Sequence, residues 1–307
     1  MSEDGMFVIK VPGSSANLGP GFDSIGLAVN LYLTIKAEKS EAWEVIPESP
    51  ELAEFPADEN NFICKTAIQT ASLYDKKMPP CTIKVSSDIP LTRGLGSSAS
   101  AIVAGIELAD CMCELNLTQD EKLVISSQME GHPDNVGASI YGGLFIGYQT
   151  DEEVYKAVFR NLSLDLVAVV PKEELLTKAS RNVLPEQVPF SEGVASGAVG
   201  NLLVSSLLSG DYELAGKMMK ADRYHQPYRR KLVPHFEQVE ETALKSGAFG
   251  AALSGAGPSI LCFAEKGAGR ALEEALIEQF PEMDILPLEV DQNGSIVSEC
   301  KFEKCGK

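Results

Sequence analysis

The stretch that most constrains this chain is Ile89-Pro90-Leu91-Thr92-Arg93-Gly94-Leu95-Gly96-Ser97-Ser98-Ala99-Ser100-Ala101. Just upstream, residues 81–87 alternate, with Cys81, Ile83 and Val85 on one face, and read as a strand. Just downstream, Ala99, Ile102, Val103, Ile106 and Ala109 recur at helical spacing behind Ser97 or Ser98. A glycine-rich turn that opens a helix gathers unpaired N–H groups and the positive end of the helix dipole, a combination that suits a phosphate. Gly94 and Gly96 permit unusual φ values and close ligand approach, and Ser97 and Ser98 bring hydroxyls for phosphate or metal. The same residues equally fit an ordinary strand-to-helix turn capped by serine. The loop alone leaves both readings open.

What could bind there is limited by charge. The chain of 307 residues carries a net charge of −18, which argues against nucleic acid or an anionic membrane as partner. An anionic ligand must then be held by backbone N–H groups and a few well-placed arginines. The length suggests about two domains. The 44% hydrophobic and 23% charged residues are those of a globular protein. The seven cysteines are odd in number, scattered and without a CxxC, so free thiols in a reducing compartment are expected. The acidic start, residues 1–5, lacks a basic region before an apolar core, and no run reaches membrane-span length. A cytoplasmic protein off the membrane is the expectation.

Along the chain, Met6 to Val11 reads as a strand and Pro12 to Asp23 as a long turn-rich loop, in which Asn17 and Asp23 are the strong polar side chains. Val29 to Ala37 alternates cleanly, with Val29, Leu31, Leu33, Ile35 and Ala37 inward. An acidic connection leads to a helix from Asn60-Asn61 to about Tyr74. Thr118 and Glu121 form a capping-box pattern for a helix to Glu130. Glu130-Gly131-His132-Pro133-Asp134-Asn135-Val136 then reads as a polar helix end and turn, with Pro133 stopping the helix. A glycine-broken strand follows over Ile140 to Gln149. The first domain is expected to close near residue 150, giving domains 1–150 and 151–307. In the second, strands are expected at Leu164–Val170, Gly250–Leu253, Ile260–Ala264, Ile285–Val290 and Ser295–Cys300. Helices are expected at Pro189–Leu208, Asp211–Lys220, Tyr228–Ser246 and Gly267–Phe280. The order is that of an α+β protein.

Three pieces together resemble one family. Pro90 to Ala99 is similar to the phosphate-binding motif of the GHMP kinases, small-molecule kinases of galactose, homoserine, mevalonate and phosphomevalonate. Val11 to Asp23 resembles their N-terminal substrate motif, and Leu253-Ser254-Gly255-Ala256-Gly257-Pro258-Ser259 their third, C-terminal motif. The forms of residues 14–23, 131–136, 180–185 and 226–229 resemble the branch that phosphorylates L-homoserine. The resemblance implies ATP as co-substrate, Mg²⁺, a step towards threonine, and commonly a homodimer. It also implies a ribosomal-S5-like ATP-binding domain followed by a ferredoxin-like one.

Carried over residue by residue, it puts Leu91, Thr92, Gly94, Leu95, Gly96, Ser97, Ser98, Ala99, Ser100 and Ala101 around the nucleotide, with Asn61 on the adenine. Arg93 belongs to the same loop, either on the phosphates or toward solvent. Ser98 (or Ser97) and Glu130 would hold Mg²⁺. Arg181 and Arg229 would take the substrate carboxylate, Asp23 its ammonium, and Asn17 its hydroxyl near the γ-phosphate. The Asp134-Asn135 pair stands where some members carry a catalytic aspartate, and Asp134 is expected to orient the substrate without acting as a strong base. His132, before a proline, reads as structural. The alternatives are a kinase for another hydroxylated metabolite such as mevalonate, or a non-catalytic metabolite-binding regulator. Gly96→Val is expected to abolish ATP binding without unfolding the domain.

Overall fold

The computed structural model describes residues 5–300, so Cys305 and the first four acidic-start residues lie outside the described part. The first half holds β1 (Met6–Asn17), β2 (Gly21–Lys39), β3 (Glu44–Pro47), α1 (Phe62–Leu73), β4 (Cys81–Ser87), α2 (Ser97–Cys113), α3 (Gln119–Glu130), α4 (Asp134–Tyr141), β5 (Leu144–Gln149) and β6 (Val154–Phe159). The second half holds β7 (Leu164–Val170), α5 (Thr177–Arg181), α6 (Phe190–Ser209), α7 (Tyr212–Lys220), α8 (Gln226–Arg229), α9 (Phe236–Lys245), β8 (Ala248–Leu253), β9 (Ile260–Glu265), α10 (Gly269–Gln279), β10 (Asp284–Glu289) and β11 (Ile296–Cys300).

Two sheets result. In the first, β11, β1, β2, β4 and β3 lie side by side, and β2 also pairs with β5, which carries β6. The second is antiparallel in the order β10-β7-β9-β8, the ferredoxin-like arrangement expected of a β-α-β-β-α-β chain. The expected division at residue 150 falls inside the first sheet, between β5 and β6, and β11 returns from the chain's end to pair with β1. β7 is buried on both faces, which is why it reads as an unbroken apolar run. Leu166, Ala168 and Val170 enter the core shared with the first sheet, while Val167 and Val169 pack under α9 and α10.

Three expectations are corrected. The segment 12–23 is not a long loop: β1 and β2 pair through Gly13–Val29, Ser14–Ala28 and Ser15–Leu27, with register shifts at Pro12/Gly13 and Ala16/Asn17. Only residues 18–20 turn, and left-handed φ at Asn17 (74°), Leu18 (47°) and Gly19 (89°) makes that turn tight. Residues 134–141 form a helix, α4, rather than a turn running into a strand. Gly131 ends α3 at φ 91°, Pro133 starts α4, and β5 begins only after Gly142 and Gly143, both at positive φ. The helix expected over 228–246 is broken into α8, a single tight turn at 230–232 and α9, because Pro234 lacks the N–H a continuous helix needs. The capping box at Thr118 and Glu121 forms as read. Cys64, Cys81, Cys111, Cys113 and Cys262 are free thiols. Among the described residues no helix is long and apolar enough to cross a membrane.

Candidate functional site

The three glycine-bearing motifs meet at one junction, and backbone contacts hold them there. Ser14 N–H donates to the Leu95 carbonyl (3.1 Å), Gly255 N–H to the Ala16 carbonyl (3.1 Å), and Ser259 N–H to the Arg93 carbonyl (3.3 Å). Ser254 Oγ donates to the Gly94 carbonyl at 2.7 Å and lies 2.9 Å from Ser15 Oγ. Gly94 and Gly96 have φ of 78° and 77°. A Cβ on Gly94 would stand 2.3 Å from the Ser254 carbonyl oxygen, and one on Gly96 2.4 Å from Ser14 Oγ. The glycines therefore serve contact between motifs as much as ligand approach. The expectation for Gly96→Val is corrected on this ground: the side chain drives into β1, so loss of nucleotide binding comes with damage to the fold.

Above this junction opens a cleft of about 380 Å³. At its centre α2 begins. Its N-cap is Gly96, with no side-chain cap, so the serine-capped turn considered above is not what forms. Leu91, Thr92, Gly94, Gly96, Ser97, Ser98, Ala99 and Ala101 line the cleft, as does Glu130 from the end of α3. Leu95 and Ser100 are buried in the fold instead, Ser100 Oγ bonding the Pro12 and Gly96 carbonyls. Arg93 also borders the cleft, and its side chain is not loose in solvent. Its guanidinium holds the Pro171 and Lys172 carbonyls and pairs with Glu174 at 3.4 Å, tying the loop to the second half.

One end of the cleft is apolar, lined by Val45, Pro47, Leu52, Phe55 and Phe62. The sequence reading missed this wall, because β3 and the tight turn after it looked like a polar connection. Asn61 lies there too, yet its amide is committed on both edges. Its Oδ1 caps α1 by accepting from Ile63 N–H (3.0 Å), and its Nδ2 donates to the Pro56 carbonyl (2.9 Å).

The other end is charged. Asp23, at φ 55°, receives both arms of Arg181, at 3.0 and 2.7 Å. Asn17 braces this corner: its Oδ1 accepts from Asp23 N–H and its Nδ2 donates to the Gly255 carbonyl, both at 3.0 Å. Asn17 thus latches the first motif to the third. Asp134, buried at the start of α4, accepts from its neighbour's N–H (Asn135, 2.8 Å) and bonds His132 Nδ1 at 2.6 Å. Burial pushes the His132 imidazole down, but the bond to Asp134 and the charges of Asp134, Asp23 and Glu130 outweigh it and raise its pKa. His132 is therefore part of the charged end and not merely a turn residue. Glu130 is pushed up, chiefly by burial and also by Asp134, against the pull of His132 and Arg181. The Asn135 side chain bonds Ser14 Oγ (3.2 Å), fixing α4 on β1.

Arg229 is the least ordinary group here. It is 2% exposed, yet it borders the cleft. Its bonds run to neutral acceptors: the Ser180 carbonyl, the Gly255 carbonyl and His225 Nδ1. Burial, with Arg181 nearby, lowers its pKa to about 10. His225 Nε2 lies 2.9 Å from the Gly19 carbonyl, which requires the proton on Nε2 and leaves Nδ1 free to accept from Arg229. Burial and the Arg229 charge hold that imidazole neutral, at about 3. Phe22 stacks on His225 and lies under both arginines, 5.4 Å from Arg181 and 5.1 Å from Arg229. Phe22 and His225 went unread in the sequence. An aromatic in a loop motif and a histidine directly before a proline-bearing helical turn were the only signals.

The GHMP kinases N terminal domain matches residues 61–143, and the GHMP kinases C terminal domain residues 203–282. A homoserine kinase of Bacillus velezensis is 48% identical over 299 residues, covering 97% of each chain. One of Bacillus licheniformis is 47% identical, covering 96% of each. Among solved structures, a homoserine kinase from Cytophaga hutchinsonii superposes with a TM-score of 0.85 at 28% identity, covering 97% of this chain and 99% of that one.

Proposed function

The chain belongs to the GHMP kinase family, and on that footing we propose that it moves the γ-phosphoryl group of ATP to the side-chain hydroxyl of L-homoserine. The homoserine oxygen forms a bond to the γ-phosphorus, the bond to the ADP oxygen breaks, and the hydroxyl proton passes to the surrounding water. The observation that carries the substrate is Arg229. A buried cation is normally paired, and among the described residues no carboxylate lies within ion-pair distance of this one. A substrate carboxylate supplies the missing partner, with Arg181 beside it, and Asp23 takes the ammonium. Mevalonate carries no ammonium and leaves Asp23 without that role.

The uncapped start of α2 faces the β- and γ-phosphates, and the apolar wall at Val45, Phe55 and Phe62 takes the base. Ser98 and Glu130 offer a hydroxyl and a carboxylate, the hard oxygen donors that suit Mg²⁺, and both border the cleft. When bound, the ion supplies neutralisation of the phosphate charge. Asp134 is already bonded to His132 and the Asn135 N–H, which supports an orienting role over that of a free base. Asp134→Asn is expected to raise the KM for homoserine about tenfold and change kcat by less than about tenfold. A thousandfold fall in kcat with KM intact would make Asp134 the base. Cytoplasmic residence fits the free thiols. ADP release coupled to an indicator reaction tests the substrate: turnover with homoserine and not with mevalonate or sugars is the expected result, and silence with homoserine overturns the proposal.

Two copies are proposed to associate through the outer face of α6. From Gly193 to Ser209 the helix carries no charge in a chain of net charge −18, and Phe190, Val194, Leu202 and Leu208 are exposed on it. Val194→Glu is expected to sediment as a monomer; an unchanged sedimentation rate places any association elsewhere.

A further inference from the structure

Asp23 and Arg181 come from opposite halves of the chain and close on each other at the charged end of the cleft. The contact is a two-armed one, Nη1 to Oδ2 at 3.0 Å and Nη2 to Oδ1 at 2.7 Å. The side chains are 33% and 39% exposed, so a ligand entering from solvent reaches both. Each residue also has a contact of its own. Asp23 is held through its N–H by Asn17, and Arg181 has the Phe22 ring under its guanidinium.

Each member also has a second environment of the right sign. Asp134 brings a second carboxylate near Asp23, with polar atoms of Asp23, His132 and Asp134 within 4.8 Å of one another, and that carboxylate is itself bonded to the His132 imidazole. Arg229 lies over the same Phe22 ring, 5.1 Å from its centre, and adds a second positive charge near Arg181, which favours an anion there.

We infer that the Asp23–Arg181 pair is a plug which an amino-acid zwitterion displaces by exchange, and that this exchange selects zwitterions over ligands bearing one charge. The inference deepens the substrate reading above and rests on it. The incoming ammonium takes Asp23 and the incoming carboxylate takes Arg181, so each charge that loses a partner gains one and the net charge of the corner is unchanged. A ligand with an ammonium alone parts the pair and leaves Arg181 without its carboxylate. One with a carboxylate alone strands Asp23. Because both side chains are partly exposed, this penalty is bounded: coupling in such pairs corresponds to about fivefold or less. Most of the selection against an incomplete substrate still comes from the missing contact itself, and the exchange adds to it.

The test is titration calorimetry on the full chain with two incomplete substrates, 3-amino-1-propanol and 4-hydroxybutyrate. In the unaltered protein, saturating formate is expected to tighten 3-amino-1-propanol about threefold to fivefold, since it occupies the arginine that the amine has displaced. The decisive readout is a gain of affinity on mutation. Arg181→Gln is expected to bind 3-amino-1-propanol about threefold to fivefold more tightly than the unaltered chain, and Asp23→Asn to do the same for 4-hydroxybutyrate. Both variants bind L-homoserine more weakly. Independent subsites predict no such gain, so fragment affinities that are unchanged or weaker in both folded variants overturn the exchange. If a variant fails to fold, absence of the formate effect in the unaltered chain overturns it by itself. If the unaltered chain neither binds nor phosphorylates L-homoserine, the substrate reading falls and the exchange with it.

Discussion

Arg229→Met is expected to raise the KM for homoserine on the order of 10²–10³-fold while ATP affinity stays within about threefold. The size follows from the setting, since truncating a buried, hydrogen-bonded charge that meets an opposite charge on the ligand costs about 2–5 kcal/mol. Stability should not move in parallel. The guanidinium is buried without an anionic partner among the described residues, so its desolvation burdens the free protein. Methionine removes that burden but leaves the Ser180 and Gly255 carbonyls short of a donor, a loss of about 1–3 kcal/mol in the other direction. The two nearly offset, and the melting temperature is expected to shift by less than about 5 °C. Arg229→Lys keeps the charge without the planar fork and should recover only part of the loss. Steady-state kinetics with scanning calorimetry on the same preparations decides the matter. An unchanged KM for homoserine in Arg229→Met would remove the carboxylate role.

How much of this was legible in the sequence depended on whether a local pattern carried the information. The β2 alternation and the box at Thr118 and Glu121 are local, and both form as read. The segment 12–23 misled because Gly, Pro and Ser are turn residues by propensity. Here they are the small residues that let β1 lie against Leu95 and Gly255, a tertiary demand no window of sequence displays. The helix at α4 was hidden for the opposite reason: Pro133 was read as a stop for what came before, though proline equally opens a helix. At the site, the motif residues were found by resemblance, but their partners were not. Asn17 serves Asp23 and Gly255, Arg93 serves Pro171 and Lys172, and His132 serves Asp134. Those assignments depend on which backbone atoms arrive nearby, and only the folded chain decides that.

Glu130→Gln is expected to lower kcat by about 10³-fold and to shift the Mg²⁺ concentration needed for half-maximal activity upward by at least tenfold. The amide is nearly isosteric with the acid, so the end of α3 keeps its shape and the change isolates charge. Electrostatic groups aimed at a transferring phosphoryl contribute about 3–4 kcal/mol each, the basis for the kcat figure. Burial, with Asp134 beside it, raises the Glu130 pKa against the pull of His132 and Arg181, so this carboxylate gains its charge at higher pH than an exposed one and cation affinity there is expected to rise with pH. That gives a second signature, separable from turnover. Mg²⁺ titrated into the nucleotide-loaded protein at a series of pH values should bind more tightly as pH rises in the unaltered chain. The glutamine variant should lose that dependence. Homoserine affinity provides the control, since Asp23, Arg181 and Arg229, proposed to hold the substrate, stand on other elements and none bonds Glu130. A variant that lost homoserine binding together with its Mg²⁺ response would mean that Glu130 organises the charged corner itself. A variant with full kcat and an unchanged Mg²⁺ requirement would take Glu130 out of the metal site altogether.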